Sequence, residues 1–229
     1  MKLYDLAAAD EARRFSPYCW RVKMALAHKG LDCQYVAWRF TEKEALPQPN
    51  AGQVPVLVDG ENVIADSWRI AIYLEERYPA CPLFGSETAR GEALLIKHWT
   101  EKTLHPLISR MMLRDVWAGL HEKDRTYFRE SREKRFGMPL EEFVRNREDT
   151  RVAFRQALEP MRSMLGEQGF VCGSRPGFAD YIVFGALQWA RCGSNFPLLE
   201  PDDPVHGYRD RLLDLFDGLA RRAAHLDSA

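Results

Sequence analysis

Lys2-Leu3-Tyr4-Asp5-Leu6, followed after a short link by Ser16-Pro17-Tyr18-Cys19-Trp20-Arg21-Val22, sets an apolar strand ahead of a helix start. Pro17 fits the first helical position, where its missing N–H costs nothing, and Ser16 fits the cap, where its oxygen can accept an orphan backbone donor. Cys19, Val22 and Leu26, with Trp20, Met24 and Ala27 beside them, recur at helical spacing and supply an apolar face. The pattern places the Ser16 hydroxyl at a helix N-terminus, where aligned peptide dipoles favour negative charge such as a bound thiolate.

Working outward, Gly30 reads as the C-terminal cap of that helix and Cys33-Gln34-Tyr35-Val36-Ala37-Trp38 as a second strand. Strand, helix, strand predicts a parallel βαβ unit. The proline-bearing loop Leu46-Pro47-Gln48-Pro49-Asn50-Ala51-Gly52 leads into Val54-Pro55-Val56-Leu57-Val58, the turn Asp59-Gly60-Glu61-Asn62 and the short strand Val63-Ile64-Ala65, which together predict a hairpin. Asp66 opens a second helix with Ile70, Leu74 and Tyr78 at four-residue spacing, ended by Pro79. A βαβ–ββα domain over residues 1–80 follows, with a proline- and glycine-bearing linker at 81–87.

Residues 88–229 show no sustained strand alternation and predict an all-helical domain. Phe154, Ala157, Leu158, Met161 and Leu165 follow one helical stripe, which Pro160 should kink unless it lies near a helix start. The charged stretch Glu130 to Asp149 reads as a solvated connection between helices. Tyr181-Ile182-Val183-Phe184-Gly185-Ala186-Leu187 is apolar nearly all round, the pattern of a buried central helix.

The chain has 229 residues, 46% of them apolar, with 32 basic and 33 acidic residues interspersed and a formal net charge of −1. That balance gives no electrostatic footprint for nucleic acid or an anionic membrane and directs attention to small-molecule partners or a second copy. The five cysteines are odd in number and scattered without the paired spacing of a zinc site, so reduced thiols, a cytoplasmic setting and no bound metal are expected. No basic leader and no stretch of about 18 uninterrupted apolar residues suggests export or a membrane span. His98 and His105 read as surface or interdomain polar groups, not as metal ligands.

Ser16-Pro17-Tyr18-Cys19 resembles the Cys-Pro-Tyr-Cys site of glutaredoxins with its leading cysteine replaced by a hydroxyl. Cys19 then lacks an attacking partner and, on the apolar side of its helix, reads as core. A Ser-capped first helix, Val54-Pro55 before a hairpin, Asp66-Ser67 opening the next helix and a helical second domain together resemble the cytosolic glutathione transferases. Ser16-Pro17-Tyr18 with Trp20-Arg21 and Lys23, Phe178-Ala179-Asp180-Tyr181, and Asp214-Leu215-Phe216-Asp217-Gly218-Leu219 are similar to the serine-type, β-etherase-like branch of that superfamily. The resemblance runs from about residue 3 to about residue 220. It departs at Gly177, where many members carry Ser or Thr, and at Gln53, where relatives often carry a basic residue.

What the resemblance implies is a thioredoxin-like first domain binding glutathione as co-substrate, and a homodimer. Ser16 would stabilise the glutathione thiolate; Gln53, Val54 and Pro55, with a cis Val54–Pro55 bond, would hold its backbone; Asp66 and Ser67 would hold the γ-glutamyl end. The second substrate, an apolar and aromatic electrophile, would sit between the domains against Ala7 to Phe15, Tyr18, Met111, Met112 and Trp117, with Trp38 and Trp20 as further candidates for the ligand wall. Each of these side chains equally fits ordinary helix core. Transfer of glutathione to the electrophile, cleavage of a β-aryl ether, glutathione-dependent isomerisation and non-catalytic carriage of aromatic ligands all remain open readings, and redox chemistry at Cys19 is the weakest.

Overall fold

A computed structural model describes residues 1–48 and 52–226. Pro49, Asn50 and Ala51 of the expected proline-bearing loop lie outside the described residues. The first domain is a mixed four-stranded sheet in the order β2-β1-β3-β4, built from β1 (Lys2–Leu6), β2 (Gln34–Trp38), β3 (Val56–Asp59) and β4 (Asn62–Ala65). β1 runs parallel to β2, with Lys2 opposite Gln34 and Leu6 opposite Trp38, and antiparallel to β3, with Leu3 opposite Leu57. The β3–β4 hairpin turns through Gly60, whose positive φ of 59° suits a residue without Cβ. Helices α1 (Pro17–His28) and α2 (Ser67–Arg77) complete the thioredoxin-like βαβ–ββα order that the apolar spacing predicts.

α1 lies over a charged floor. Asp5, fully buried on β1, meets Lys23 Nζ at 3.1 Å and Arg14 Nη1 at 3.7 Å, and the Lys23 ammonium rests 4.0 Å from the centroid of Trp20. The ion pair and the ring share the cost of burying that ammonium.

The second domain is helical: α3 (Glu87–Trp99), α4 (His105–Ala118), α5 (Glu122–Phe136), α6 (Leu140–Phe143), α7 (Arg147–Ala157), α8 (Glu159–Leu165), α9 (Phe178–Gly193) and α10 (Pro204–Gly218). A π-helical turn, Thr100–Leu104, joins α3 to α4 without a break. The stripe through Pro160 is two helices, because Leu158 forms the junction and Pro160 sits in the first turn of α8, where no backbone donor is lost. The charged stretch from Glu130 is helical to Phe136 and again over α6 and the start of α7, so it is more than a solvated connection.

α9 is the central helix. Asp180 at its start accepts from the backbone N–H of Val171 (2.7 Å), Cys172 (3.2 Å) and Gly177 (3.0 Å) and from the Tyr208 hydroxyl (3.0 Å). The departure at Gly177 has a steric reason: a Cβ there would stand 2.9 Å from Cys172 Sγ and 3.0 Å from the Leu83 carbonyl oxygen. Gly185, in the middle of α9, does the same for the domain seam, since a Cβ would stand 2.4 Å from the Pro17 carbonyl oxygen. The two helices therefore pack backbone against backbone, and α9 fixes the N-terminus of α1.

Candidate functional site

That N-terminus opens into a cleft of about 1250 Å³ between the domains. Ser16, 4% exposed, caps α1: its Oγ accepts from Cys19 N–H at 3.2 Å, as the Ser-Pro pair predicts. Ser16 lines that cleft, within which its hydroxyl can donate to a bound ligand. Cys19 is fully buried, and burial pushes its thiol well above the usual range. It is a core residue, and its burial argues against redox chemistry there.

Gln53, Val54, Pro55, Asp66 and Ser67, all of the first domain, line the same cleft as Ser16. The Val54–Pro55 bond is cis. Neither the N–H nor the C=O of Val54 has a hydrogen-bond partner among the described residues. Asp66 caps α2 at a positive φ of 79°, a region that Asp tolerates better than most side chains, and its Oδ1 accepts from both Trp68 N–H and Arg69 N–H at 3.0 Å. Those two bonds leave the first donor of the helix, Ser67 N–H, and the Ser67 hydroxyl. The hydroxyl oxygen is buried without a partner in a side chain that is 2% exposed. A buried unpaired hydroxyl at a helix N-terminus is poised for an anionic ligand. These are the groups that a γ-glutamyl carboxylate and an extended peptide backbone need, so the wall fits glutathione.

The remaining cleft comes from α1, α4, α5 and α9. Tyr18, 36% exposed, sets its hydroxyl 3.4 Å from His105 Nδ1 and its ring 4.8 Å from the buried Arg21 guanidinium. Arg21 Nη1 bonds Glu101 at 2.8 Å, and Lys97 holds the other Glu101 oxygen at 3.0 Å. Burial works against the Glu101 carboxylate, yet these bonds keep its pKa below the usual value. His105 is 8% exposed and edge-on to both Tyr18 and Trp189; burial, with Arg21 nearby, pushes its pKa down to about 3, so the imidazole is neutral. Glu101 sits in the π-turn, a helix irregularity often found at functional sites.

The structure brings Ser16, Tyr18, Gln53, Val54, Pro55, Asp66 and Ser67 together with Trp38. It does not bring in Met111, Met112 or Trp117. Met111 and Met112 are core, and the cleft face of α4 carries His105, Pro106, Ser109, Arg110, Leu113 and Val116, the stripe next to the one the methionines follow. Of Ala7 to Phe15 only Phe15 lines the cleft, and Trp20 of α1 is buried and does not line it. Sequence reasoning missed Glu101, Tyr127, Arg132, Arg135, Phe136, Phe143 and Trp189. The spacing of Tyr127-Phe128, Arg132 and Arg135-Phe136 is a helical stripe, visible in retrospect inside a segment dominated by charge. Among the described residues no group of three or more His, Cys, Asp or Glu is placed to hold a metal, and no helix is long and apolar enough to cross a membrane.

Residues 12–85 match the family model for the N-terminal domain of glutathione S-transferases, and residues 93–195 match that for the C-terminal domain. The chain is 31% identical over 197 residues to a maleylacetoacetate isomerase of Pseudomonas aeruginosa, covering 80% of this chain and 78% of that protein. The chain belongs to the glutathione S-transferase superfamily. A zeta-class glutathione S-transferase of Euphorbia esula is 45% identical over 74 residues, 30% of this chain, and the match spans only 32% of that relative. Among solved structures, a glutathione transferase from Phanerochaete chrysosporium superposes with a TM-score of 0.82 at 23% identity, covering 98% of both chains. A glutathione S-transferase of Ceriporiopsis subvermispora in complex with glutathione gives 0.76 at 22% identity, over 94% of this chain and 96% of that one. These two likenesses confirm the transferase fold.

Proposed function

We propose that the protein is a glutathione transferase in which Ser16 holds the thiolate of bound glutathione for attack on an aromatic electrophile. The observation that carries this reading is the pairing, in one cleft, of a helix-capping hydroxyl at Ser16 and a buried unpartnered hydroxyl at Ser67. Ser67 and the N-terminus of α2 meet the γ-glutamyl carboxylate, while Oδ2 of Asp66 accepts from its ammonium. The N–H and C=O of Val54 pair with the cysteinyl backbone as an added strand does, and Gln53 meets the glycyl end.

A free thiol titrates near ~8.5, so only a few per cent is thiolate at pH 7. A hydrogen bond to a charged group contributes about 1.5–3 kcal/mol, which lowers the thiol pKa by roughly one to two units. The N-terminus of α1 adds up to ~1 kcal/mol in the same direction. Together they make the thiolate the major species near neutrality. It attacks an electrophilic carbon of a substrate whose aromatic body rests against Phe15, Phe40 and Trp189; in the β-etherase version a phenolate leaves and the product is a thioether.

The similarity over 197 residues to a maleylacetoacetate isomerase supports a second reading, in which the thiolate adds to the substrate and then leaves again, so that glutathione is not consumed. The protein would act as a homodimer in a cytoplasmic setting under either reading. The test is turnover with glutathione of β-aryl ethers, halogenated aromatics and cis-dienoic acids, followed by mass spectrometry, in the parent and in Ser16→Ala. Thioether products that fall sharply in the variant support transfer. An isomerised product with glutathione unconsumed supports the second reading. Turnover unchanged in Ser16→Ala refutes the role of Ser16, and aromatic binding without turnover supports a carrier.

A further inference from the structure

The charge balance of the chain breaks down inside the cleft. Its lining acids are already engaged: Glu101 by Arg21 and Lys97, Asp66 by the first turn of α2. Three arginines on the α4–α5 wall, Arg110, Arg132 and Arg135, line the same cleft, and among the described residues none has a carboxylate within ion-pair distance. Elsewhere the arginines of this domain are commonly paired, as Arg129 is with Glu133 and Glu141 or Arg162 with Asp203.

Aromatic faces hold the three cations in place of acids. Arg132 lies 4.6 Å from the centroid of Phe128 and 5.4 Å from that of Phe40; Arg110 lies 4.8 Å from Phe143; Arg135 lies 5.6 Å from Phe136, which stacks on Phe143 at 4.0 Å. Arg132 Nη1 donates to Ser131 Oγ at 2.9 Å, and a planar guanidinium with five donors, stacked on a ring, still has edge donors for a carboxylate. Burial lowers the pKa of Arg132, and Arg135 lowers it further, so an arriving anion would relieve both. Arg135 shares the cleft with Tyr18 and Ser16 at the N-terminus of α1.

We infer that the electrophile taken by this cleft is an anionic aromatic or conjugated acid, its carboxylate held by Arg132 and Arg135 with Arg110 at the rim, and its planar body lying between the rings toward Ser16. The inference rests on the transferase reading for the chemistry but not for the anion site. Glutathione supplies carboxylates of its own, yet the groups proposed to meet them, Ser67 with the N-terminus of α2 and Gln53, belong to the other domain.

The test compares 4-chloro-3,5-dinitrobenzoate with its primary amide. In both, the thiolate sulfur forms a C–S bond at the chlorine-bearing carbon, the C–Cl bond breaks, chloride leaves with the electron pair, and the thiol proton passes to solvent. Rates are divided by the uncatalysed rate of each probe. A charge-assisted bond in a partly exposed cleft corresponds to about tenfold, so kcat/KM should favour the carboxylate by about tenfold or more at low salt and less at high salt. In R132Q/R135Q the preference falls to near unity, through the KM of the carboxylate probe and not through that of glutathione. Should R132Q loosen the packing on Phe128, R135Q alone carries the test, because Arg135 is exposed.

Equal normalised rates for the two probes, or a raised glutathione KM with the preference intact, overturn the anion site. Binding of both probes is followed in parallel by quenching of tryptophan fluorescence, Trp189 being part of the cleft. Selective binding of the carboxylate, lost in R135Q, with no thioether from either probe upholds the anion site and refutes the transferase reading.

Discussion

Gly185→Ala perturbs α1, which carries Ser16 at its N-terminus, through the contact that seats α1 on α9. The added Cβ would lie 2.4 Å from the Pro17 carbonyl oxygen, 3.2 Å from Arg21 Cγ and 3.3 Å from the Pro17 carbonyl carbon. Carbon–oxygen contacts in proteins begin at about 3.3 Å, so the helices must part by close to ~1 Å. Backbone atoms at the first position of a capped helix cannot swing aside as a side-chain tip does. Overpacking of this kind costs about 1–3 kcal/mol, against which alanine gains at most ~1 kcal/mol of helix propensity. A net loss of about 1–2 kcal/mol is expected in urea unfolding at unchanged m-value. Because the displaced segment carries Ser16, a shift of ~1 Å should lower kcat/KM by roughly 10- to 100-fold in the variant that remains folded. Gly91→Ala is the control: in α3, exposed and with nothing within 4 Å of its Cβ, it should stabilise by about 0.5–1 kcal/mol and leave turnover unchanged. A Gly185→Ala protein as stable and as active as the parent would show that the α1–α9 contact does not position the site.

Ser67→Ala should raise the KM for glutathione by about tenfold or more, the worth of a bond to a carboxylate, while stability stays level or rises, because a buried hydroxyl without a partner is removed; an unchanged KM removes Ser67 from the site. His105 gives the fold a pH dependence. Its pKa is near 6.5 in the unfolded chain and about 3 in the folded one, so below pH 6.5 the unfolded state binds a proton that the folded state refuses. Stability is therefore full above about pH 6.5 and falls toward pH 3 by up to about 1.4 kcal/mol per pH unit from this group. His105→Gln should flatten that part of the profile in denaturant titrations, and an identical slope in the variant would contradict a neutral buried imidazole.

Most of the first domain was legible because each element announces itself locally. Ser16-Pro17 caps a helix, Gly60 closes a hairpin and Asp66 starts the next helix, and the structure has each in place. The wall proposed for glutathione draws on the same local signals: it is made of helix caps and a cis-proline turn, whose residue types are dictated by backbone geometry. The second-substrate wall was not legible in this way. Met111 and Met112 were attractive by residue type, yet a rotation of about 100° per residue separates them from the Ser109–Leu113 stripe that meets the cleft, and only tertiary packing decides which stripe faces inward. Arg132 and Arg135 were hidden in a segment whose charge reads as solvated: Arg132 is held by Phe128 one turn away and by Phe40 of the first domain, and Arg135 by Phe136, which stacks on Phe143 of another helix. Gly177, an apparent defect in the cap of α9, became intelligible only when Leu83 and Cys172 were seen against it.

The central claim is that the cleft makes a thiolate of glutathione by means of Ser16. Ultraviolet difference titration of the thiolate, with glutathione bound to the protein at saturation, tests it without any choice of electrophile. The account predicts a bound-thiol pKa about one to two units below that of free glutathione in the parent, and a return to the free value in Ser16→Ala. Bound glutathione that titrates like the free tripeptide, or a depressed pKa that survives in Ser16→Ala, would contradict it.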